Sequence, residues 1–139
     1  GLSNFTPSQT TIIQQKLKVS ANQMEISLKA SDPFFNGALD HCLMHQITPM
    51  AWAPLGGILS NKSLPLALEK AFEEMEKKYA LTRDAILLAW LLKHPAAIHP
   101  VIGTTKVERY KNALSAMNID FEIEDWFYLL AAFRGHDIP

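Results

Sequence analysis

Four short β-prone runs, each followed by a helical segment, recur along this chain, and that alternation limits its fold more than any other feature. Residues 1–5 read as the end of a strand, so the chain starts inside an element. Thr6-Pro7 then supplies an N-cap with proline at the first helical position, and Ile12, Ile13 and Leu17 follow at helical spacing to about residue 18. Residues 19–26 and 47–52 read as strands, and Ala53-Pro54-Leu55-Gly56-Gly57 as a turn. Asp32-Pro33 opens a predicted helix over 32–43. Further helices are expected over 64–79, with Lys77-Lys78 where the macrodipole favours cations, and over 83–93, capped by Thr82 and stopped by Pro95. A fourth strand over 98–102 precedes helices over 105–117 and 124–133. Strands alternating with helices mean βαβ units, a parallel sheet and right-handed crossovers.

Composition narrows the class. The 139 residues are 48% hydrophobic, enough for a buried core, and the formal net charge is -1 with dispersed cations. Nucleic acid is therefore not an expected partner. The longest apolar run, 85–92, falls short of the roughly 20 residues that span a bilayer, so no membrane partner is expected, and no secretory leader pattern stands at the start. Cys42 is the single cysteine, which fits a reducing cytoplasm. Its neighbours His41 and His45 lack the further ligands a metal site needs, and a half-buried helix face is the preferred reading. No metal ligands are assigned.

Polar and glycine-bearing residues collect at the C-terminal ends of the strands, where α/β folds place ligands. Four βα units make half of a barrel that typically takes about 250 residues; an open four-stranded sheet would leave two edges uncovered. Ser3-Asn4 also suits an N-cap or Asx turn ahead of Thr6-Pro7, and Trp52 a core position. Gly103-Thr104-Thr105-Lys106 with Arg109 gathers a helix start, two hydroxyls and two cations, suited to a phosphate dianion or to a capped helix with solvated cations.

Taken in order, Gly1-Leu2-Ser3-Asn4-Phe5-Thr6-Pro7, Asn22-Gln23-Met24-Glu25, the run from Ala51 to Gly57 and the run from Ile102 to Arg109 resemble the aldo-keto reductase family. The match is to strands five to eight of that family's (β/α)8 barrel. The terminal run from Trp126 to Pro139 looks like the branch that also carries tryptophan after strand seven. The resemblance implies an α/β fold, the C-terminal half of a (β/α)8 TIM barrel, occupying 1–139 as part of one domain whose N-terminal half is absent. It also implies site roles. Ser3, Asn4 and Gln23 would hold the nicotinamide carboxamide and Trp52 would stack on the ring. Ala53, Pro54, Leu55, Gly56 and Gly57 would approach the pyrophosphate, with Ala53 in place of the usual serine. Gly103, Thr104, Thr105, Lys106 and Arg109 would hold a 2′-phosphate, so that the cofactor is NADP. Asn112 stands where a glutamate often meets the adenine amine, and Ala113 replaces an asparagine, so adenine recognition is expected to be weakened or rearranged.

The family's proton-donating tyrosine, with its lysine, aspartate and histidine, sits ahead of the matched strands. Tyr79, Tyr110 and Tyr128 fall in predicted helices away from strand ends, and His94 and His99 read as loop residues, so no catalytic residue is assigned here. The expected whole is a cytoplasmic NADP-dependent reductase of aldehydes or ketones, with a small carbonyl compound as substrate, of which this chain alone is inactive. A non-catalytic cofactor-binding or regulatory module is the alternative. The uncovered sheet edges would be met by the N-terminal half or by self-association.

Overall fold

Thr6 converts strand into helix by satisfying the amides that open it. Its hydroxyl accepts from the Gln9 amide at 3.3 Å while the Gln9 side chain accepts from the Thr6 amide at 2.9 Å, a reciprocal capping box with Pro7 in the first turn. The computed structural model describes residues 1–61 and 63–138. Along it run β1 (Leu2–Ser3), α1 (Pro7–Gln14), β2 (Ala21–Glu25), α2 (Ala38–Met44) and β3 (Thr48–Trp52). Then come α3 (Leu66–Tyr79), α4 (Arg83–Leu92), β4 (His99–Pro100), α5 (Val107–Ser115) and α6 (Ile123–Arg134).

The strands form one parallel sheet in the order β1-β2-β3-β4, with Leu2 opposite Asn22, Gln23 opposite Met50 and Ala51 opposite Pro100. Side chains alternate across the pleat. Asn22, Met24, Pro49 and Ala51 are buried, whereas Ala21, Gln23, Met50 and Trp52 are half-buried on the other face. All parallel pairing and all strand exits on one end of the sheet agree with the expectation from alternation.

Several boundaries depart from it. The expected helix over 32–43 is two pieces: a 3-10 turn at Asp32–Phe34 and α2, divided by Gly37 at φ 83. The cause is tertiary: the Phe34 ring packs edge-on against Trp90, Trp126 and His94, with centroids 5.0–5.5 Å apart, and a continuous helix would not deliver it there. Helix α1 ends at Gln14, short of residue 18, and the expected 105–117 helix ends at Ser115 in a 3-10 turn, Ala116–Asn118. The fourth strand shrinks to His99–Pro100, because proline brings no amide to a ladder and is held at an edge. His99 is thus a strand residue, not a loop residue. Cys42 is fully buried on α2, and burial pushes its thiol pKa up, which leaves it a packing group.

The core centres on α4, whose residues 85–91 are all buried. Trp90 stacks on Trp126 of α6 at 4.8 Å and 9°, and each indole N–H donates to the other's backbone carbonyl at 3.0 Å. Beside this pair His94 is half-buried; burial lowers its pKa, against the weaker pull of Asp40, and its Nδ1 accepts from the Ala96 amide at 3.2 Å. A proton on Nδ1 would remove that acceptor. Because the folded pKa lies below the unfolded value of 6.5, the unfolded state takes up the proton first. Stability is complete above about pH 6.5 and falls as pH drops from there through the lowered folded value. Urea midpoints measured from pH 7.5 to 5 are expected to decline, and His94→Gln to flatten the decline. An unchanged slope in the variant would remove His94 as the cause.

Candidate functional site

The loop leaving β1 is held by a side chain from the neighbouring strand. Asn22 is buried; its Nδ2 donates to the Phe5 carbonyl at 2.9 Å and its Oδ1 accepts from the Phe5 amide at 3.4 Å, closing a two-point clip. With the Asn4 amide donating to the Gln23 carbonyl at 2.8 Å, the clip presents Ser3 and Asn4 at the sheet's C-terminal end. Asn4 adopts φ 56, a left-handed conformation asparagine tolerates. Its Oδ1 accepts from the Trp52 indole N–H at 3.1 Å. Ser3, Asn4, Gln23 and Trp52, assigned from distant stretches of sequence, are therefore brought together across three adjacent strands. The Asn22 clip was not anticipated; the motif drew attention to Gln23 beside it.

Beyond Trp52 the chain turns sharply. Ala53, Gly56 and Gly57 all have positive φ, at 47, 58 and 66. For alanine this costs about 1–2 kcal/mol. A Cβ on Gly56 would stand 2.7 Å from Ser27 Oγ and 3.1 Å from Lys29 Cβ, so the loop rests directly on the turn that follows β2. Around Gly57 there is open space.

A cleft of about 440 Å³ opens between this loop and the end of β4. Ala53, Pro54, Leu55, Gly56 and Gly57 line it together with Gly103, Thr104 and Arg109. Leu88, Val101, Ile102 and Ala113 add apolar surface, and Asp84, from the first turn of α4, a carboxylate. The amides of Gly57, Gly103 and Thr104 donate to no acceptor among the described residues, and Arg109 makes no ion pair among them. Free amides, a hydroxyl and an unpaired guanidinium at one opening suit an anionic ligand such as phosphate. They fit a dinucleotide's phosphates, with the indole of Trp52 and the carboxamide of Asn4 at the neighbouring strand ends.

Seven assigned residues do not line this cleft: Ser3, Asn4, Gln23 and Trp52 at the neighbouring strand ends, and Thr105, Lys106 and Asn112. Thr105 and Lys106 are exposed at the start of α5, where the Lys106 amide donates to Thr104 Oγ1 at 3.2 Å. Asn112 is half-buried, its carbonyl accepting from Ser115 Oγ at 2.6 Å, and Ala113 faces the cleft instead. Asp84 escaped the sequence reading. Its spacing four residues ahead of buried Leu88 was the available signal, since both fall on one helix face.

The tyrosines do not enter the cleft. Tyr79 hydrogen-bonds Asp125, and its oxygen accepts from the Glu122 amide at 3.0 Å. Burial is the main cause of its raised pKa. With Lys78 bonded to Glu122 and Asp125, it ties α3 to α6. Tyr110 and Tyr128 lie on α5 and α6 and line no part of the cleft. Among the described residues no group of three or more His, Cys, Asp or Glu is placed to hold a metal ion, and no helix is long and apolar enough to cross a membrane.

Comparison with known proteins agrees with this geometry. The model of the Aldo/keto reductase family matches residues 1–132. A 6-dehydroglucose reductase of Agrobacterium fabrum is 34% identical over 140 residues, covering 99% of this chain and 47% of the relative. Oxidoreductase YdhF of Escherichia coli is 31% identical over 143 residues, covering 100% of this chain and 48% of the relative. Among solved structures, a thermostable aldo-keto reductase in complex with the inhibitor epalrestat superposes with a TM-score of 0.80 at 25% identity, over 95% of this chain and 47% of that one. An aldo/keto reductase of Klebsiella pneumoniae in complex with NADP and acetate has a TM-score of 0.79 at 20% identity, and here the likeness is of fold. The chain spans about half the length of the curated relatives it matches.

Proposed function

This chain belongs to the aldo/keto reductase family, and from that premise we propose that it is the cofactor-holding half of an NADP-dependent reductase of aldehydes or ketones. The observation that carries the reading is the cleft, which a loop of left-handed backbone and Arg109, without an ion pair among the described residues, line together at the C-terminal ends of parallel strands. The bound nicotinamide dinucleotide would supply hydride to a carbonyl carbon. Ser3, Asn4 and Gln23 would orient the carboxamide through side-chain donors and acceptors, and Trp52 would offer its ring face. The Asn4–Trp52 hydrogen bond fixes these two relative to each other before any ligand arrives.

Free amides along the Ala53–Gly57 loop would meet the pyrophosphate. Thr104 and Arg109 would take the 2′-phosphate that separates NADP from NAD, with Lys106 adding a longer-range charge. The proton for the product alcohol would come from the other half of the barrel, since Tyr79 is committed to Asp125 and lies outside the cleft. Barrel closure also accounts for the apolar groove beside β4, lined by Leu92, Ile98, Leu114 and Met117, which further strands would cover.

The test is cofactor titration of the intact protein carrying this chain, with NADPH and NADH, before and after Arg109→Ala. A charge-assisted contact is worth about 1.5–3 kcal/mol. NADPH affinity is therefore expected to fall about ten- to a hundredfold, and NADH affinity much less. Equal losses for the two would remove the 2′-phosphate role from Arg109.

A further inference from the structure

A cavity of about 270 Å³ lies where the segment after β2 meets the end of α4 and the first turns of α6. No residue of the cofactor cleft lines it, and none of its own lining belongs to β1 or β4, the outer strands of the sheet. Its walls are aromatic. Phe34 stands edge-on to Trp126 at 5.5 Å and to His94 at 5.0 Å, and Phe127 edge-on to Trp126 at 5.0 Å. Stacking and two hydrogen bonds hold Trp126 on Trp90, so that wall is rigid. One free polar group stands among the rings. His94 Nδ1 accepts from the Ala96 amide at 3.2 Å, so the neutral ring carries its proton on Nε2, which makes no hydrogen bond among the described residues. Lys93, the other polar side chain of the lining, is bonded to Asp120 at 3.0 Å.

We propose that this cavity is a second ligand site, separate from the cofactor's, and that it takes a neutral, flat two-ring aromatic with a hydrogen-bond acceptor on its edge. Ligand pockets usually measure about 300–1,000 Å³; a volume just below that range suits two fused rings better than a drug-sized molecule. Rings that meet edge to face leave flat slots, and a planar ligand adds to such a cluster at little entropic cost. Charge narrows the class. A cation would meet no carboxylate on the lining. An anion would gain little from Lys93, whose charge Asp120 already balances. A neutral acceptor gains the Nε2–H of His94, a donor otherwise set among apolar rings.

The discriminating pair is isoquinoline and naphthalene, of one shape but differing by a ring nitrogen that accepts. Binding to the intact protein carrying this chain is read from the broadening of the ligands' own proton resonances, in mildly alkaline buffer where isoquinoline is uncharged. Both are expected to bind with dissociation constants below about 1 mM, and saturating NADPH should leave both unchanged. His94→Phe keeps a flat ring but removes the donor; isoquinoline should weaken by about three- to tenfold and naphthalene should not. Phe127→Ala removes one wall and should weaken both by several-fold. Phe127 is exposed, so this variant locates the site even where His94→Phe does not fold, which far-ultraviolet circular dichroism reports. Absence of binding to the native protein, displacement of the ligands by NADPH, or affinities that Phe127→Ala leaves intact would overturn the site. A folded His94→Phe that weakens both ligands alike, or neither, would overturn the choice of an acceptor-bearing ligand. None of these results bears on the cofactor reading, which Arg109→Ala tests separately.

Discussion

Trp90→Ala is expected to remove about 3–5 kcal/mol of unfolding free energy, the range found when a large buried aromatic is cut back to a methyl group. The side chain is fully buried, so the whole indole volume becomes cavity. Its loss also strips the Trp126 carbonyl of a donor and Trp126 of a stacking partner, which places the expected cost toward the upper end of that range. Phe34 packs against both rings and would lose one wall of its site. Set beside a typical total of roughly 5–15 kcal/mol, this is a large share. Trp90→Phe keeps a ring in the stack but not the N–H, and should cost less than half as much. Urea unfolding of the three proteins checks both steps; a loss below about 1 kcal/mol for the alanine variant would contradict the central place given to the pair.

Gly56→Ala is expected to have the larger effect on ligand binding. The added methyl faces two separate costs: a positive φ, worth about 1–2 kcal/mol, and a collision with Ser27 Oγ at 2.7 Å. Ser27 is itself fully buried and accepts from the Ala30 amide at 3.0 Å, so it cannot swing away without breaking the turn after β2. The loop must lift instead, taking with it the cleft lining that it shares with Arg109. Gly57→Ala isolates the first cost, because φ is also positive there but a Cβ meets open space. Dinucleotide affinity is expected to drop by more than about tenfold for Gly56→Ala and by only a few-fold for Gly57→Ala. Similar losses for the two would show that backbone strain acts alone and that the contact with Ser27 is unimportant.

The contrast between these glycines shows where sequence reasoning reaches and where it stops. Pro54, Gly56 and Gly57 announced a turn because their conformational preferences are intrinsic to the residues. The contact that makes Gly56 the less replaceable of the two comes from Ser27, far away in the chain, and no local pattern reports it. The same division separates Thr6-Pro7, whose cap is local and was legible, from Asp32-Pro33, whose helix was expected to continue. There Phe34 is drawn into the aromatic site formed by Trp90, Trp126 and His94, and long-range packing overrides a local start signal. Asp84 carries no local signal beyond that of a first-turn acid, favourable to the helix dipole. Only the packing of α4 beside α5 makes it a cleft residue. Asn22 and Gln23 are adjacent and equally polar, yet the pleat sends one inward as a backbone clip and leaves the other half-exposed beside Ser3.

Because the sheet's spatial order is also its order along the chain, each strand finds its partner already made when it emerges. The spans to be closed lengthen steadily, from Leu2 with Asn22, to Ala21 with Thr48, to Met50 with His99. Loop-closure entropy rises with span, so the last pairing is the slowest, and a ribosome delivering the N-terminus first would build the sheet in that sequence. The cleft straddles that last pairing: its glycine loop belongs to the early part and Arg109 to the late one. Within this sheet, competence to hold an anion is therefore acquired at the β3–β4 pairing, and a dinucleotide present during synthesis would act on that step.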